Sequence, residues 1–551
     1  MCREFNSLSH GGSTFGLPIY VAVVYACRTM FIKRVKARGI TYLQLVEGYW
    51  QDGRAKHRLL KSLGREDQLD PAMIDRLRTS LKRYASKDSG GVAELDLDAI
   101  TVSPGRRVGS LLPLQSVWRE LELGEILSGL ARGRRFRFDA ANVIKAIVFQ
   151  RVLDPGSERS LVRSFLPSVF APEFDGIELQ HTYRALQFLA EVGPELEARL
   201  TRVMTEKLFA DASLVLFDTT STYFEGAGPE ELASFGFSRD KRGDRPQANL
   251  ALLTSREGLP LGHWLYPGKQ SDVKSMAEAS REFRDRLGLG SFVVVADRGM
   301  VSAANLRALQ DEKIEYVIAE RLRRSTANAA LARAGRYKRV SRNLEVKEIK
   351  TDGAERVLVC RNSERAAEDA RQRDAIVQQL QAKIAAGGVR DQLKNGARRY
   401  LKLTGATAEI DLKKVHEDAR FDGKWVLRTT TSLPPEHVAL AYRGLWRVEN
   451  AFRTLKTPLE LRPLFHTSEA GIRGHVQACV LAYALVRVIE DRLDAADIDL
   501  SAKDALHALE SIQHVTIDLG TTSIDRTSTP TTEQAGILAA LKAEAATNLR
   551  A

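Results

Sequence analysis

Cysteine is scarce in this 551-residue chain. Only Cys2, Cys27, Cys360 and Cys479 occur, far apart and with no CxxC pair. That argues against a disulfide scaffold or a cysteine-based zinc module and suits a reducing compartment, so a cytoplasmic location is expected. Aromatic residues make up 7% of the chain, fewer than the cleft of a carboxylate-pair glycosidase usually wants. The ten histidines are scattered and form no HExxH motif. His475, in an apolar stretch, reads as a core residue rather than a ligand. GxxxxGK followed by Ser or Thr is absent, so no nucleotide cofactor is expected, and GxSxG is absent too. No apolar run reaches the length of a membrane span, so no membrane association is expected. The nearest, LPIYVAVVYAC (Leu17–Cys27), is followed by basic MFIKRVKARG and not by the small residues of a signal-peptidase site. The composition break there leads to the expectation that translation begins at Met30. Residues 1–29 would then be a non-native extension, which the intact mass of the native protein would reveal.

What is present describes a globular protein with ample core. Hydrophobic residues make up 44% and charged residues 28%, and the length predicts several domains. The formal charge of +12 and the pI near 9.4 point to a polyanionic partner.

The pattern along the chain changes several times. In region 30–96, period-two segments such as FIKRV and TYLQLVEGYW, broken at Asp52-Gly53, predict a small basic sheet with a hairpin. A helix, PAMIDRLRTSLKRY, and a soft linker, ASKDSGGVAELD, follow. Region 97–210 is helical in pattern, with apolar positions three to four apart. It contains ARGRRFRFD, which reads either as a solvated arginine face or as a phosphate contact. Region 211–323 alternates strands and helices and predicts a mixed sheet flanked by helices. Regularity fades over 324–423, a block better explained as a mixed α/β insertion than as a loop. Helices resume in 424–495, and 496–551 reads as a helix and a loose tail.

Two aspartates each close an apolar strand: Asp218 in LVLFDTTS and Asp297 in VVVADRGM. A carboxylate at the end of a buried strand is costly unless it meets a cation, a donor or water. A third acid lies in YRGLWRVENAFRTLK, where Glu449 stands among aromatics and arginines. Read as one helical segment, Tyr442, Glu449 and Lys456 fall on nearly one face, with Arg453 on the same side. Ordinary surface ion pairs would explain that stripe equally well on its own. Three converging acids without a histidine cluster form a hard, oxygen-rich site that suits Mg²⁺ or Mn²⁺. Two such ions roughly 4 Å apart can clamp both oxygens of an in-line phosphoryl displacement. Arg298, Arg453 and Lys456 nearby then suit a phosphodiester backbone.

In this order, with an insertion before the glutamate, Asp218, Asp297 and Glu449 resemble the acidic triad of the DDE transposases of bacterial insertion sequences. The match is with the insertion-sequence-four-like superfamily and its Y-R-E-K signature, and within it the sixteen-thirty-four group. Tyr442, Glu449 and Lys456 fit the signature spacing. Its arginine position is Leu445, flanked by Arg443 and Arg447. FGFSRDKRGDRPQ (Phe235–Gln247), LPLGHWLYPGKQSD (Leu259–Asp272) and ADRGMVSAANL (Ala296–Leu306) are similar to further family segments. The opening MFIKRVKARG is too, and the resemblance runs from Met30 to Leu493.

The resemblance implies an RNase H-like core split by the insertion, with DNA-binding regions before it. It implies metal-dependent cleavage at the ends of a mobile element, then joining of a 3′ hydroxyl to target DNA (cut-and-paste transposition). Asp218, Asp297 and Glu449 would hold two Mg²⁺ or Mn²⁺ ions. Tyr442, Arg453 and Lys456 would contact double-stranded DNA near the scissile phosphate. Trp446 would either stack on an extruded base or pack against its own helix. Pairing two element ends implies a homodimer on DNA. The rival expectations are a nuclease that cuts without joining and a catalytically inactive DNA-binding regulator with the same fold.

Overall fold

The computed structural model describes residues 23–25, 28–37, 39–51, 54–65, 100–236, 238–270, 272–289, 291–300, 302–322, 325–351, 355–386, 398–404, 407–518 and 522–543. The helix expected at 71–84, the linker at 85–96 and most of 1–29 lie outside those residues. The chain forms two compact units, one of residues 1–100 with 519–522 and one of the rest.

The first unit is an antiparallel sheet of β1 (Val23–Tyr25), β2 (Arg28–Ala37), β3 (Ile40–Gln51) and β4 (Arg54–Arg65) in sequential order. Gly39, at φ 81°, supplies the left-handed conformation that the turn between β2 and β3 requires. Gln51 pairs with Arg54 across the two-residue connection at Asp52-Gly53, as the alternating pattern predicted. Val46 is buried, whereas Lys33, Arg34, Lys36, Lys56, Arg58 and Lys61 are exposed. The sheet therefore presents a cationic surface.

In the second unit, short β5 (Thr101–Val102) and β6 (Arg106–Arg107) precede four longer helices, with short helical turns over 158–174 between the last two. The four are α1 (Leu111–Glu120), α2 (Leu123–Ala131), α3 (Ala140–Leu153) and α4 (Leu179–Lys207). The Asp139 carboxylate caps α3 by accepting from Asn142 N–H at 3.0 Å. In the arginine-rich turn before α3, Phe136 packs edge-on against Phe188 and Phe138 stacks on His181. Arg134 lies over Phe188, and the arginines of that turn remain exposed.

The sheet then begins with β7 (Leu214–Tyr223), β8 (Gln247–Ser255) and β9 (Pro260–Pro267) as an antiparallel meander. After α5 (Asp272–Leu287) comes β10 (Val293–Ala296), and after α6 (Ala303–Asp311) comes β11 (Glu315–Ala319). β10 is parallel to both β7 and β11. β10 is buried throughout and β11 beyond Glu315, so side chains on both faces are covered and the strands read as continuous apolar runs.

The block at 324–423, expected to be a mixed α/β insertion, adds three of its strands to the same sheet. Following α7 (Ser325–Ala332), β12 (Lys338–Ser341), β13 (Leu344–Ile349) and β14 (Arg356–Arg361) form a meander. Then come α8 (Ser363–Ala385), a separate hairpin of β15 (Leu401–Thr404) and β16 (Thr407–Ile410), and α9 (Leu412–Ala419). β17 (Lys424–Thr429) pairs with β14 on one side and β11 on the other. The result is a nine-stranded sheet ordered β12-β13-β14-β17-β11-β10-β7-β8-β9.

Helices α10 (Pro435–Arg443), α11 (Trp446–Lys456) and α12 (Glu469–Ala495) complete the unit. Contrary to the sequence expectation, α12 is long and apolar enough to cross a membrane by length and composition. Its apolar window is 89% buried inside the protein, so it is a core helix that is hydrophobic all round. It packs along α4, where Gly474 sits so close that a Cβ would lie 2.0 Å from the Leu186 carbonyl oxygen. Gly474→Ala is therefore expected to cost about 1–3 kcal/mol by forcing the helices apart. Thermal unfolding would check this, and a change below about 0.5 kcal/mol would contradict it.

The expected loose tail is also corrected. After α13 (Ala502–Ala508), β18 (Gln513–Asp518) and β19 (Ser523–Thr527) pair with each other, and β18 also pairs with β5. A final helix, α14 (Thr532–Ala540), starts with a capping box between Thr531 and Gln534 and buries Ile537 and Leu538.

Candidate active site

Asp218 lies in β7, and Asp297 is the residue immediately after β10. Ala296 pairs with Phe217 in parallel register, so the next residue on each strand is one of the two aspartates. Neighbouring strands run roughly 4.8 Å apart, which sets the two carboxylates side by side. Glu449 stands on the first turn of α11, whose opposite face buries Val448, Ala451, Phe452 and Leu455. That helix packs on β7 and β8. Asp297 and Glu449 both line an open cleft of about 720 Å³, together with Arg298, Arg365, Tyr442 and Trp446.

The three acids share one electrostatic environment. Burial pushes the Asp218 carboxyl up to about 6. Arg239 and the Thr219 N–H oppose that rise, while the charges of Asp297 and Glu449 add to it. Arg239 Nη1 stands 3.7 Å from Asp218 Oδ1, and Thr219 N–H donates to the same oxygen at 2.7 Å.

Because this carboxyl titrates above its unfolded value of 3.8, the native state holds the extra proton between the two values. Stability is therefore lost as pH rises from about 4 through 6. Asp218→Asn is expected to stabilise the metal-free protein by on the order of 2 kcal/mol near pH 8, an advantage that vanishes near pH 4. Thermal midpoints at the two pH values would check it. A variant no more stable than the parent near pH 8 would contradict it.

Tyr442 donates its hydroxyl proton to Asp297 Oδ1 at 2.8 Å. Burial and the adjacent Asp297 charge raise the phenol well above its usual range. The expectation that Tyr442, Glu449 and Lys456 share one continuous helix is corrected, because α10 ends at Arg443 and α11 begins at Trp446. The break falls at Gly444-Leu445, where glycine weakens the helix and Leu445 turns into the core. Leu445, at the signature's arginine position, is thus a packing residue. Arg443 bonds Ser341 and Arg447 lies over the Trp446 ring.

The remaining cations divide into two groups. Arg298 and Arg453 are exposed, Arg298 on the cleft and Arg453 one turn beyond Glu449. Trp446 is 54% exposed and lines the cleft, so its ring is not a core packing element. Lys456 differs. Its ammonium is buried against Asp240 at 2.9 Å, and Arg462 pairs with the same carboxylate.

Sequence reasoning missed Arg239 and Asp240 as individual residues. Both lie in the quoted segment FGFSRDKRGDRPQ, so the signal was present as a motif without assigned roles. Arg239 also donates to Thr219 Oγ1 at 3.1 Å, and its backbone N–H donates to Ser221 Oγ at 2.9 Å. Those bonds fold the motif over the polar end of β7. Also missed were the arginines that the inserted block brings to the same cleft: Arg365, Arg373, which pairs with Asp422, and Arg399, which pairs with Asp418.

Comparison with known proteins gives two family matches. Residues 209–485 match the transposase DDE domain, and residues 32–94 match the N-terminal domain of IS1634 family transposases. The chain is similar to y4zB of Sinorhizobium fredii, named as a candidate transposase, at 27% identity over 115 residues. That match covers 20% of this chain and 32% of the relative, so the chain spans about a third of the relative's length. Among solved structures, it is similar to the piggyBac transposase in a synaptic complex with hairpin DNA, determined by cryo-EM. The TM-score is 0.36 at 9% identity, covering 74% of this chain and 82% of that one.

Proposed function

This chain belongs to the DDE-domain transposases, with an IS1634-type N-terminal domain, and on that premise we propose that it moves an insertion sequence by cut-and-paste transposition. It would cleave DNA at the element's terminal repeats and join the freed 3′ hydroxyl to target DNA. The observation that carries this reading is the convergence of the three acids: the parallel pairing of β7 with β10 sets Asp218 beside Asp297, and Glu449 lines the cleft with Asp297. Like charges gathered in one partly buried place are tolerated when divalent cations neutralise them. The strand order β9-β8-β7-β10-β11, a meander followed by two parallel strands, supports an RNase H-like core.

Asp218, Asp297 and Glu449 would hold two Mg²⁺ or Mn²⁺ ions. All the donors are carboxylate oxygens, the chemistry that hard dications prefer. Such ions activate the attacking oxygen and stabilise the leaving one in an in-line displacement. Tyr442 keeps the Asp297 carboxylate aimed by its hydrogen bond. Arg239 offsets the charge of Asp218 and stays beside the scissile phosphate. Arg298, Arg453 and Arg365 meet the phosphate backbone, and Trp446 offers its exposed face to an unstacked base. Lys456 and Arg462 clamp Asp240, fixing the motif that carries Arg239. The basic N-terminal sheet binds duplex DNA, and two chains hold two element ends.

The test uses duplexes that carry the DNA flanking the reading frame, a supercoiled target plasmid and Mg²⁺. Nicking at the element boundary followed by covalent joining to the plasmid is expected. Cleavage without joining would reduce the protein to a nuclease. Binding without any cleavage would leave a DNA-binding regulator, and the proposal would fail.

A further inference from the structure

A second group of ligating side chains lies outside the acidic triad. Glu158 follows α3 in a short helical turn, His466 sits in the connection between α11 and α12, and His475 is on α12. Their potential ligand atoms all lie within 4.8 Å of one another. His466 Nε2 is 3.4 Å from Glu158 Oε1, and Cys479 Sγ is 3.8 Å from His475 Nε2. Glu158, His475 and Cys479 are buried, and the His466 side chain is 14% exposed. His475 and Cys479 are four residues apart on α12, so they present both donors on one helix face.

Burying a carboxylate, two imidazoles and a thiol together is costly unless something satisfies them. The protein contacts of His475 are long: Nε2 lies 3.4 Å from the Leu461 carbonyl, besides the Cys479 sulfur. That is near the limit at which a hydrogen bond contributes. Bonds of about 2.0 Å to nitrogen or oxygen and about 2.3 Å to sulfur place tetrahedral zinc donors roughly 3.3–3.6 Å apart. The 3.4 Å and 3.8 Å separations lie within a few tenths of an ångström of that spacing. Mixed nitrogen, oxygen and sulfur donors favour a borderline-soft dication over Mg²⁺.

We propose that Glu158, His466, His475 and Cys479 form a structural zinc site, distinct from the catalytic carboxylates, that fastens the segment between α11 and α12 to the helical bundle. Carboxylate and thiolate would neutralise the ion, and binding releases the Cys479 proton. The same segment carries Arg462, the partner of Asp240, so the zinc steadies the chain on which the Lys456–Asp240–Arg462 clamp depends. The inference stands independently of the transposition chemistry.

The test takes the full-length protein, strips it of metal, and titrates it with Co²⁺ and then Zn²⁺. One Co²⁺ per chain with a sulfur-to-cobalt charge-transfer absorption is expected, lost when Zn²⁺ displaces it. Asp297→Asn should bind in the same way. His466→Ala should bind more than tenfold more weakly, and Cys479→Ser should lose the charge-transfer absorption. Circular dichroism would establish that both variants are folded. A wild-type protein that gives no such absorption, or His466→Ala binding as tightly as wild type, would overturn the assignment.

Discussion

Asp297→Asn is expected to lower DNA cleavage and joining by on the order of 10³-fold or more while leaving DNA affinity within a few-fold of wild type. The magnitude follows from what the carboxylate does. Removing one preorganised charged or donor group from a polar reaction centre costs about 10²–10³-fold, and in the proposed reading this carboxylate would also hold metal. The substitution is also mild for the fold, because an asparagine oxygen can still accept the Tyr442 hydroxyl proton. Affinity should persist because, in the proposed reading, it rests on cations such as Arg298, Arg453 and those of the N-terminal sheet, which the change does not touch. Single-turnover cleavage beside a salt-dependent binding assay would separate the two effects. Activity within about tenfold of wild type would remove Asp297 from the chemistry.

Arg428→Met is expected to destabilise the second unit by about 3–5 kcal/mol, the cost of leaving a buried charge unpaired. Arg428 lies on β17, between β11 and β14, where the inserted block joins the sheet. Its guanidinium reaches Glu320 at 3.2 Å and also Glu355, and the Glu320 side chain is only 3% exposed. Tyr316 donates its hydroxyl proton to Glu355, so one cation organises two carboxylates and a phenol at the joint. Adding Glu320→Gln to the Arg428 variant should recover part of the loss, since the orphaned charge is then gone. Thermal midpoints of the single and double variants would measure this. A single-variant loss below about 1 kcal/mol, or no recovery in the double variant, would contradict the network's role.

The parts of the site that could be read in the sequence are those where an apolar run stops at an acid. LVLF before Asp218 and VVVA before Asp297 announce buried strands because each run is short and stops at polar or glycine residues, where a buried helix would continue for ten or more residues. The parallel register that sets the two acids side by side was not readable, because pairing between strands some eighty residues apart leaves no local trace. The same holds for β17, whose short GKWVLRTT gives no sign that it bridges two other strands. Pairing across long distances also hid the fate of Lys456. Its spacing from Glu449 suggested a free cation, whereas Asp240, far away in the chain, holds it. The break between α10 and α11 was marked only by Gly444, a signal too weak to outweigh the helical spacing around it. At the C-terminus, Thr531 to Gln534 forms a capping box that threonine-rich composition disguised as a tail.

The most direct test of the central claim is anomalous diffraction from crystals soaked in Mn²⁺. Manganese coordinated by the Asp218 and Asp297 carboxylates, with Glu449 completing the site, is the predicted result. Manganese absent from those carboxylates in well-occupied crystals would contradict it.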